Sequence, residues 1–103
     1  MATLSTHVLD TSRGRPAAGI AVRLESALGE ALDEGVTDAD GRVGSLGGEL
    51  EEGAYVLHFG TGAYLGASAF YPEVVVTFRI AADEHHHVPL LLNPFGYSTY
   101  RGS

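Results

Sequence analysis

The chain has 103 residues, 45% of them hydrophobic and 18% charged, which is the composition of one globular domain spanning residues 1–103. Thirteen acidic residues stand against six arginines and no lysine, so the net charge of −7 argues against nucleic acid and an anionic membrane surface as partners. Cysteine is absent, which excludes disulfides, thiolate metal sites and cysteine nucleophiles. No apolar run approaches the roughly 20 residues of a transmembrane helix, and no signal peptide is visible, so we expect a cytoplasmic protein.

Short alternating segments, separated by glycine- and proline-rich stretches, predict a succession of strands. In chain order we predict strands at residues 4–9, 20–25, 35–37, 55–59, 73–80 and 85–92, with a last extended piece at 96–101. Residues 26–33 fit either a loop or a strand, residues 44–53 fit a loop with one helical turn, and residues 60–68 are predicted as a loop. Seven to eight strands at this spacing, with at most one short helix, predict an all-β antiparallel β-sandwich.

Two histidines are predicted to point away from the core. Alternation in the first strand places Leu4 in the core and His7 on the outer face. In the strand 85–92, Leu90 is a core residue and His87 points outward. Each histidine shares its outer face with a leucine, which favours a face covered by another subunit. Each is therefore either an ordinary surface histidine or a candidate general base enclosed at an interface.

Other polar features are weaker signals. The run His85–His87 could bring only two imidazoles to one face of a strand, and no third ligand has suitable spacing, so we predict no metal site. Arg42 follows the turn signal Asp40-Gly41, and its guanidinium could bind a planar, carbonyl-rich ligand or simply be solvated. The segment 95–103 is aromatic and hydroxyl-rich, and we predict that it is packed rather than extended into solvent.

These segments together resemble a known family. LSTHVLD at 4–10, TDADGR at 37–42, HVPLLL at 87–92 and YRGS at 100–103 are similar to the motifs of the 5-hydroxyisourate hydrolases, which are related to transthyretin. The segment FYPEVVVTF at 70–78 matches a long strand of the same family. The resemblance implies a transthyretin-like sandwich and a homotetramer with active sites at its dimer–dimer interface. His86 stands where the family usually has an aromatic residue.

The resemblance also implies a reaction and a set of site residues. The reaction is hydrolysis of 5-hydroxyisourate to 2-oxo-4-hydroxy-4-carboxy-5-ureidoimidazoline in urate degradation, with no cofactor. The implied catalytic residues are His7, Arg42, His87 and Ser103, and the implied substrate-binding residues are His7, Arg42 and Tyr100. Which histidine acts as the base is left open. Two alternatives are a non-catalytic carrier of a small aromatic ligand and a structural sandwich in a larger surface assembly.

Overall fold

The computed structural model describes residues 1–103 as nine strands in two sheets, with one short α-helix and one 3₁₀ turn. The strands are β1 (Thr3–Asp10), β2 (Arg15–Pro16), β3 (Ala21–Ser26), β4 (Ala31–Val36), β5 (Arg42–Val43), β6 (Gly53–Phe59), β7 (Val74–Ile80), β8 (His85–Asn93) and β9 (Gly96–Thr99). The helix α1 (Thr61–Leu65) runs into the 3₁₀ turn (Gly66–Ser68) between β6 and β7. The helix is too short to cross a membrane.

The two sheets have different strand arrangements. The first has the order β2-β1-β8-β9, with β5 also paired to β1, and the second has the order β4-β3-β6-β7. All neighbouring strands are antiparallel except β1 and β8, which run parallel from the Thr3–His85 pair to the Asp10–Leu92 pair. Parallel neighbours cannot be joined by a tight hairpin, which is consistent with their distance along the chain. The predicted β-sandwich is confirmed, with this one parallel pair at the centre of its first sheet.

The core lies between the sheets and follows the predicted alternation. Buried and half-buried residues alternate strictly along β1, with Leu4 and Val8 fully buried. Leu90 of β8 is also fully buried, and the core cluster contains sixteen hydrophobic residues. Burial of each large aliphatic or aromatic side chain contributes about 1.5–3 kcal/mol, so the inward faces of the strands dominate stability. The same alternation places His7 and His87 on the outer face of the first sheet.

Two connecting segments differ from expectation. Residues 60–68, predicted as a loop because of their glycines, contain α1 and the 3₁₀ turn. Packing overrides the weak propensity: Thr61 is buried and donates to the Tyr71 carbonyl at 2.7 Å, and the Tyr64 hydroxyl donates to the Asp10 carboxylate at 2.7 Å. The segment 44–53 forms no helical turn; its two leucines point into the core instead. Residues 26–33 divide into a turn and the beginning of β4.

Candidate active site

Arg42 reaches the outer face beside His7 because β5 pairs with β1 at this point. The two residues are direct partners in the antiparallel register, so their side chains share one face of the sheet. The turn before Arg42 needs Gly41, whose φ of +75° places a side chain in a strained conformation and against the backbone of Val8. The Asp38 carboxylate accepts hydrogen bonds from the backbone N–H groups of Asp40 at 2.9 Å and Arg42 at 3.0 Å. The hydrogen bonds of this turn therefore fix the backbone position from which the Arg42 side chain extends.

The same turn fixes the His7 ring. Its Nε2 atom lies 2.8 Å from the carbonyl oxygen of Asp40. A carbonyl only accepts, so Nε2 carries the proton and donates it. In neutral His7 the lone pair is therefore on Nδ1, which is the nitrogen left for a ligand.

His87 lies on the neighbouring strand, with its ring centroid 6.4 Å from that of His7 and the two planes tilted by 40°. The Nδ1 atom of His87 is 2.7 Å from the Ser5 hydroxyl, which leaves Nε2 as its unoccupied nitrogen. Burial lowers the pKa of His87 below its usual value of 6.5, and positive charge on Arg42, or on His7 or His85 when they are protonated, lowers it further. These effects favour the neutral imidazole, which is the form that can accept a proton.

The segment after β9 continues along β8 and passes over His87. The Gly102 N–H donates to the His87 carbonyl at 2.8 Å, and the Thr99 hydroxyl donates to the Pro89 carbonyl at 2.7 Å. Gly102 opposes His87 in the same register that pairs Leu90 with Thr99. A Cβ atom on Gly102 would lie 2.6 Å from the His87 ring, so the backbone touches the imidazole directly. The backbone of the segment therefore pairs with the sheet, as predicted, but its aromatic side chains Phe95, Tyr97 and Tyr100 are exposed in the single chain.

The structure thus brings three of the predicted site residues together on one face: His7, Arg42 and His87. Tyr100 lies on the chain segment that borders this face and is 55% exposed. Ser103 follows Gly102 and is also exposed. No group of three or more histidine, aspartate or glutamate side chains is arranged to hold a metal ion.

Sequence reasoning gave no role to two further polar residues. The Ser5 hydroxyl lies 2.7 Å from Nδ1 of His87 and 2.7 Å from Nε2 of His85. Alternation within each strand was a usable signal, because Ser5 shares a face with His7, and His85 shares one with His87. The sequence does not show that β1 and β8 are neighbours, and that pairing is what brings Ser5 to both imidazoles.

Comparison with known proteins places the chain in a family. The family model described as HIUase/Transthyretin matches residues 4–102. The chain belongs to the HIUase/transthyretin family. The 5-hydroxyisourate hydrolase of Caulobacter vibrioides is 46% identical over 115 aligned positions, which cover the whole of both chains. The solved structure of the Klebsiella pneumoniae 5-hydroxyisourate hydrolase has a TM-score of 0.91 at 42% identity, again over the whole of both chains.

The family also contains transthyretins, which share the fold. Sea bream transthyretin, solved in complex with thyroxine, has a TM-score of 0.87 at 32% identity and covers 96% of this chain and 93% of its own. The backbone therefore does not separate hydrolase from carrier within the family. Sequence identity does, since it is higher to the hydrolases than to this transthyretin.

Proposed function

We propose that this chain, as one domain over residues 1–103, hydrolyses 5-hydroxyisourate by opening its six-membered ring at a carbonyl–nitrogen bond. The observation that carries the proposal is the polar cluster of His7, Arg42 and His87 on one sheet face. A carrier of an apolar aromatic ligand would favour small or apolar groups there. The two hydrolases compared above, at 42–46% identity over their full lengths, support the same choice.

In the proposed mechanism His87 is the general base. Its neutral imidazole takes a proton from water at Nε2, and the resulting hydroxide adds to the ring carbonyl. The Arg42 guanidinium, placed by the turn beside His7, stabilises the negative charge that develops on the carbonyl oxygen. The ring C–N bond then breaks, and the leaving nitrogen takes the proton held at Nε2 of His87. No cofactor is required for these steps.

Three further residues complete the proposed site. His7, held at Nε2 by a carbonyl, presents Nδ1 to the substrate and orients it. The hydroxyls of Tyr100 and Ser103 border the same face, and we assign substrate binding to the first and water positioning to the second. These assignments follow the family pattern onto the matching residues of this chain.

We also propose a cytoplasmic homotetramer in which a second copy covers this face. In a single chain Arg42 and Tyr100 are exposed, so the site is open to solvent. The same face carries Leu9 and Leu91, which are only half-buried within one chain and are paired side by side. A covering subunit would exclude water and strengthen every electrostatic contact in the site.

The test is an ultraviolet time course of 5-hydroxyisourate generated from urate by urate oxidase. We expect the protein to accelerate its decay strongly, and His7→Ala and His87→Ala to remove about 100- to 10,000-fold of that acceleration. His58→Gln is the matched control, because His58 lies on the second sheet in β6. Light scattering should give a mass near four times 10.8 kDa. Decay at the spontaneous rate with a folded tetramer would contradict the hydrolase and favour a carrier.

A further inference from the structure

Four polar side chains form an unbroken hydrogen-bonded chain on the outer face of the first sheet. The Ser5 hydroxyl links Nδ1 of His87, at 2.7 Å, to Nε2 of His85, also at 2.7 Å. Nδ1 of His85 in turn lies 2.6 Å from the Thr3 hydroxyl. His85 is exposed, whereas His87 is half-buried. These hydrogen bonds therefore lead from the proposed base, His87, to solvent.

The parallel register of β1 and β8 creates this arrangement. It pairs Thr3 with His85 and Ser5 with His87, so two hydroxyls and two imidazoles alternate along adjacent strands. Residues two apart on a strand share a face, which aligns all four groups on the outer side. A shift of the register by one residue would turn either the two hydroxyls or the two imidazoles toward the core and break the hydrogen-bonded network.

The protons of this hydrogen-bonded network can be arranged in two ways. Ser5 has one hydroxyl proton but lies between two imidazole nitrogens, so it donates to one and accepts from the other. When Ser5 donates to His85, neutral His87 keeps its proton on Nδ1 and presents a bare Nε2 to water. When Ser5 donates to Nδ1 of His87, the His87 proton is on Nε2, and His85 carries its proton on Nε2 and donates it to Ser5. The two states differ only by proton positions.

We propose that Ser5 and His85 are a proton relay that carries the proton taken up by His87 out to solvent. After Nε2 of His87 accepts a proton from water, its Nδ1 proton passes to the Ser5 oxygen. The Ser5 hydroxyl proton passes to Nε2 of His85, and the Nδ1 proton of His85 leaves through Thr3 to bulk water. His87 is then neutral with its proton on Nε2. Delivery of that proton to the leaving ring nitrogen, with one proton returning from bulk water through Thr3, His85 and Ser5 to Nδ1, restores the bare Nε2 and balances the hydrolysis. This inference rests on the proposed function, because it assumes that His87 is the base.

The charges around His87 explain why a route for the proton is needed. His7 lies 6.4 Å from His87, ring centroid to ring centroid, and Arg42 is the partner of His7 on the other side of β1. Positive charge on these neighbours disfavours an imidazolium at His87 and lowers its pKa.

The experiment measures steady-state turnover of 5-hydroxyisourate by the full chain with Ser5→Ala and His85→Gln. Glutamine keeps an amide that can hydrogen-bond Ser5 but cannot take up and release a proton. We expect kcat to fall about tenfold in both variants with KM little changed, since the relay acts on proton transfer rather than on binding. Added imidazole buffer should restore turnover of His85→Gln in proportion to its concentration. Ser5→Thr, which keeps the hydroxyl and suits a strand, should retain activity.

His58→Gln is again the control, and circular dichroism checks that each variant is folded. Wild-type kcat in both variants would overturn the relay. A low kcat in His85→Gln that does not respond to imidazole would also overturn it, because the defect would then be positional. A wild-type protein that leaves 5-hydroxyisourate to decay spontaneously would instead overturn the proposed function, and the relay with it.

Discussion

Gly102→Ala tests whether the chain segment after β9 controls the position of His87. The new Cβ atom would lie 2.6 Å from Cδ2 and 3.2 Å from Cγ of the His87 ring, and 3.3 Å from Cγ of Pro89. Favourable carbon–carbon contacts begin at about 3.5 Å, so the shortfall at Cδ2 is about 1 Å. Gly102 does not have a positive φ, so alanine adds this contact without backbone strain.

Either the imidazole or the segment must move to relieve the contact. The ring is held by the Ser5 hydroxyl at 2.7 Å, and Gly102 is held by its N–H bond to the His87 carbonyl at 2.8 Å. A misplacement of 1 Å at a reacting group can cost about 100-fold in rate, which is the loss of kcat/KM that we expect. Stability should change by only about 1 kcal/mol, the low end for an inserted methyl group, because this segment lies at the surface.

The assay is the decay of 5-hydroxyisourate, measured together with the thermal midpoint of each protein. Gly96→Ala is the matched control: it is in the same strand region, has no positive φ, and its Cβ would meet only the Asn93 side chain at 3.9 Å. We expect it to keep wild-type activity. Equal activity of Gly102→Ala and Gly96→Ala would refute the argument, because the segment would then not contact His87 during turnover.

Three further predictions follow from the same structure. The acid limb of kcat/KM should lie below pH 6.5, because the lowered pKa keeps His87 neutral to lower pH, and Arg42→Gln should shift that limb upward in a pH–rate profile. Removing residues 100–103 should reduce turnover by about 100-fold while circular dichroism shows a retained fold. Asp10→Ala should lower the free energy of unfolding at neutral pH by about 3 kcal/mol, and Tyr64→Phe by about 2, in urea titrations. Burial alone would raise the pKa of Asp10, but its hydrogen bonds outweigh burial and lower it. The part of the stabilisation that comes from this lowered pKa is present above pH 3.8 and is lost as pH falls through the pKa of the folded state, so the deficit of Asp10→Ala should shrink in that range.

Alternation in the sequence was sufficient to predict which side of each strand faces the core. It placed His7 and His87 on outer faces because hydrophobic residues recur with period two in both strands. It also located the turn before Arg42, since Asp-Gly is a local signal. These features depend on neighbours in the chain, and the structure confirms that both histidines lie on the outer face and that a turn precedes Arg42.

Pairing between distant strands was not predictable in the same way. The bond between Ser5 and His87 joins residues 82 positions apart, and the contact of Gly102 with His87 depends on the register of β9. The helix α1 was missed for a related reason, since its packing partner Asp10 lies 54 positions away from Tyr64. Tertiary contacts decided each case, and no local pattern encodes them.

Buried polar groups on the core side of β1 explain how the register that builds the site is selected. The Thr6 hydroxyl is fully buried and donates to the Val88 carbonyl at 2.6 Å. Asp10, 1% exposed, accepts from Ser12 and from Tyr64. A slip of one residue would leave these groups unpaired, at about 1–3 kcal/mol for each neutral group and more for the carboxylate. The polar residues inside the sandwich therefore help to specify the pairing that aligns the polar residues outside it.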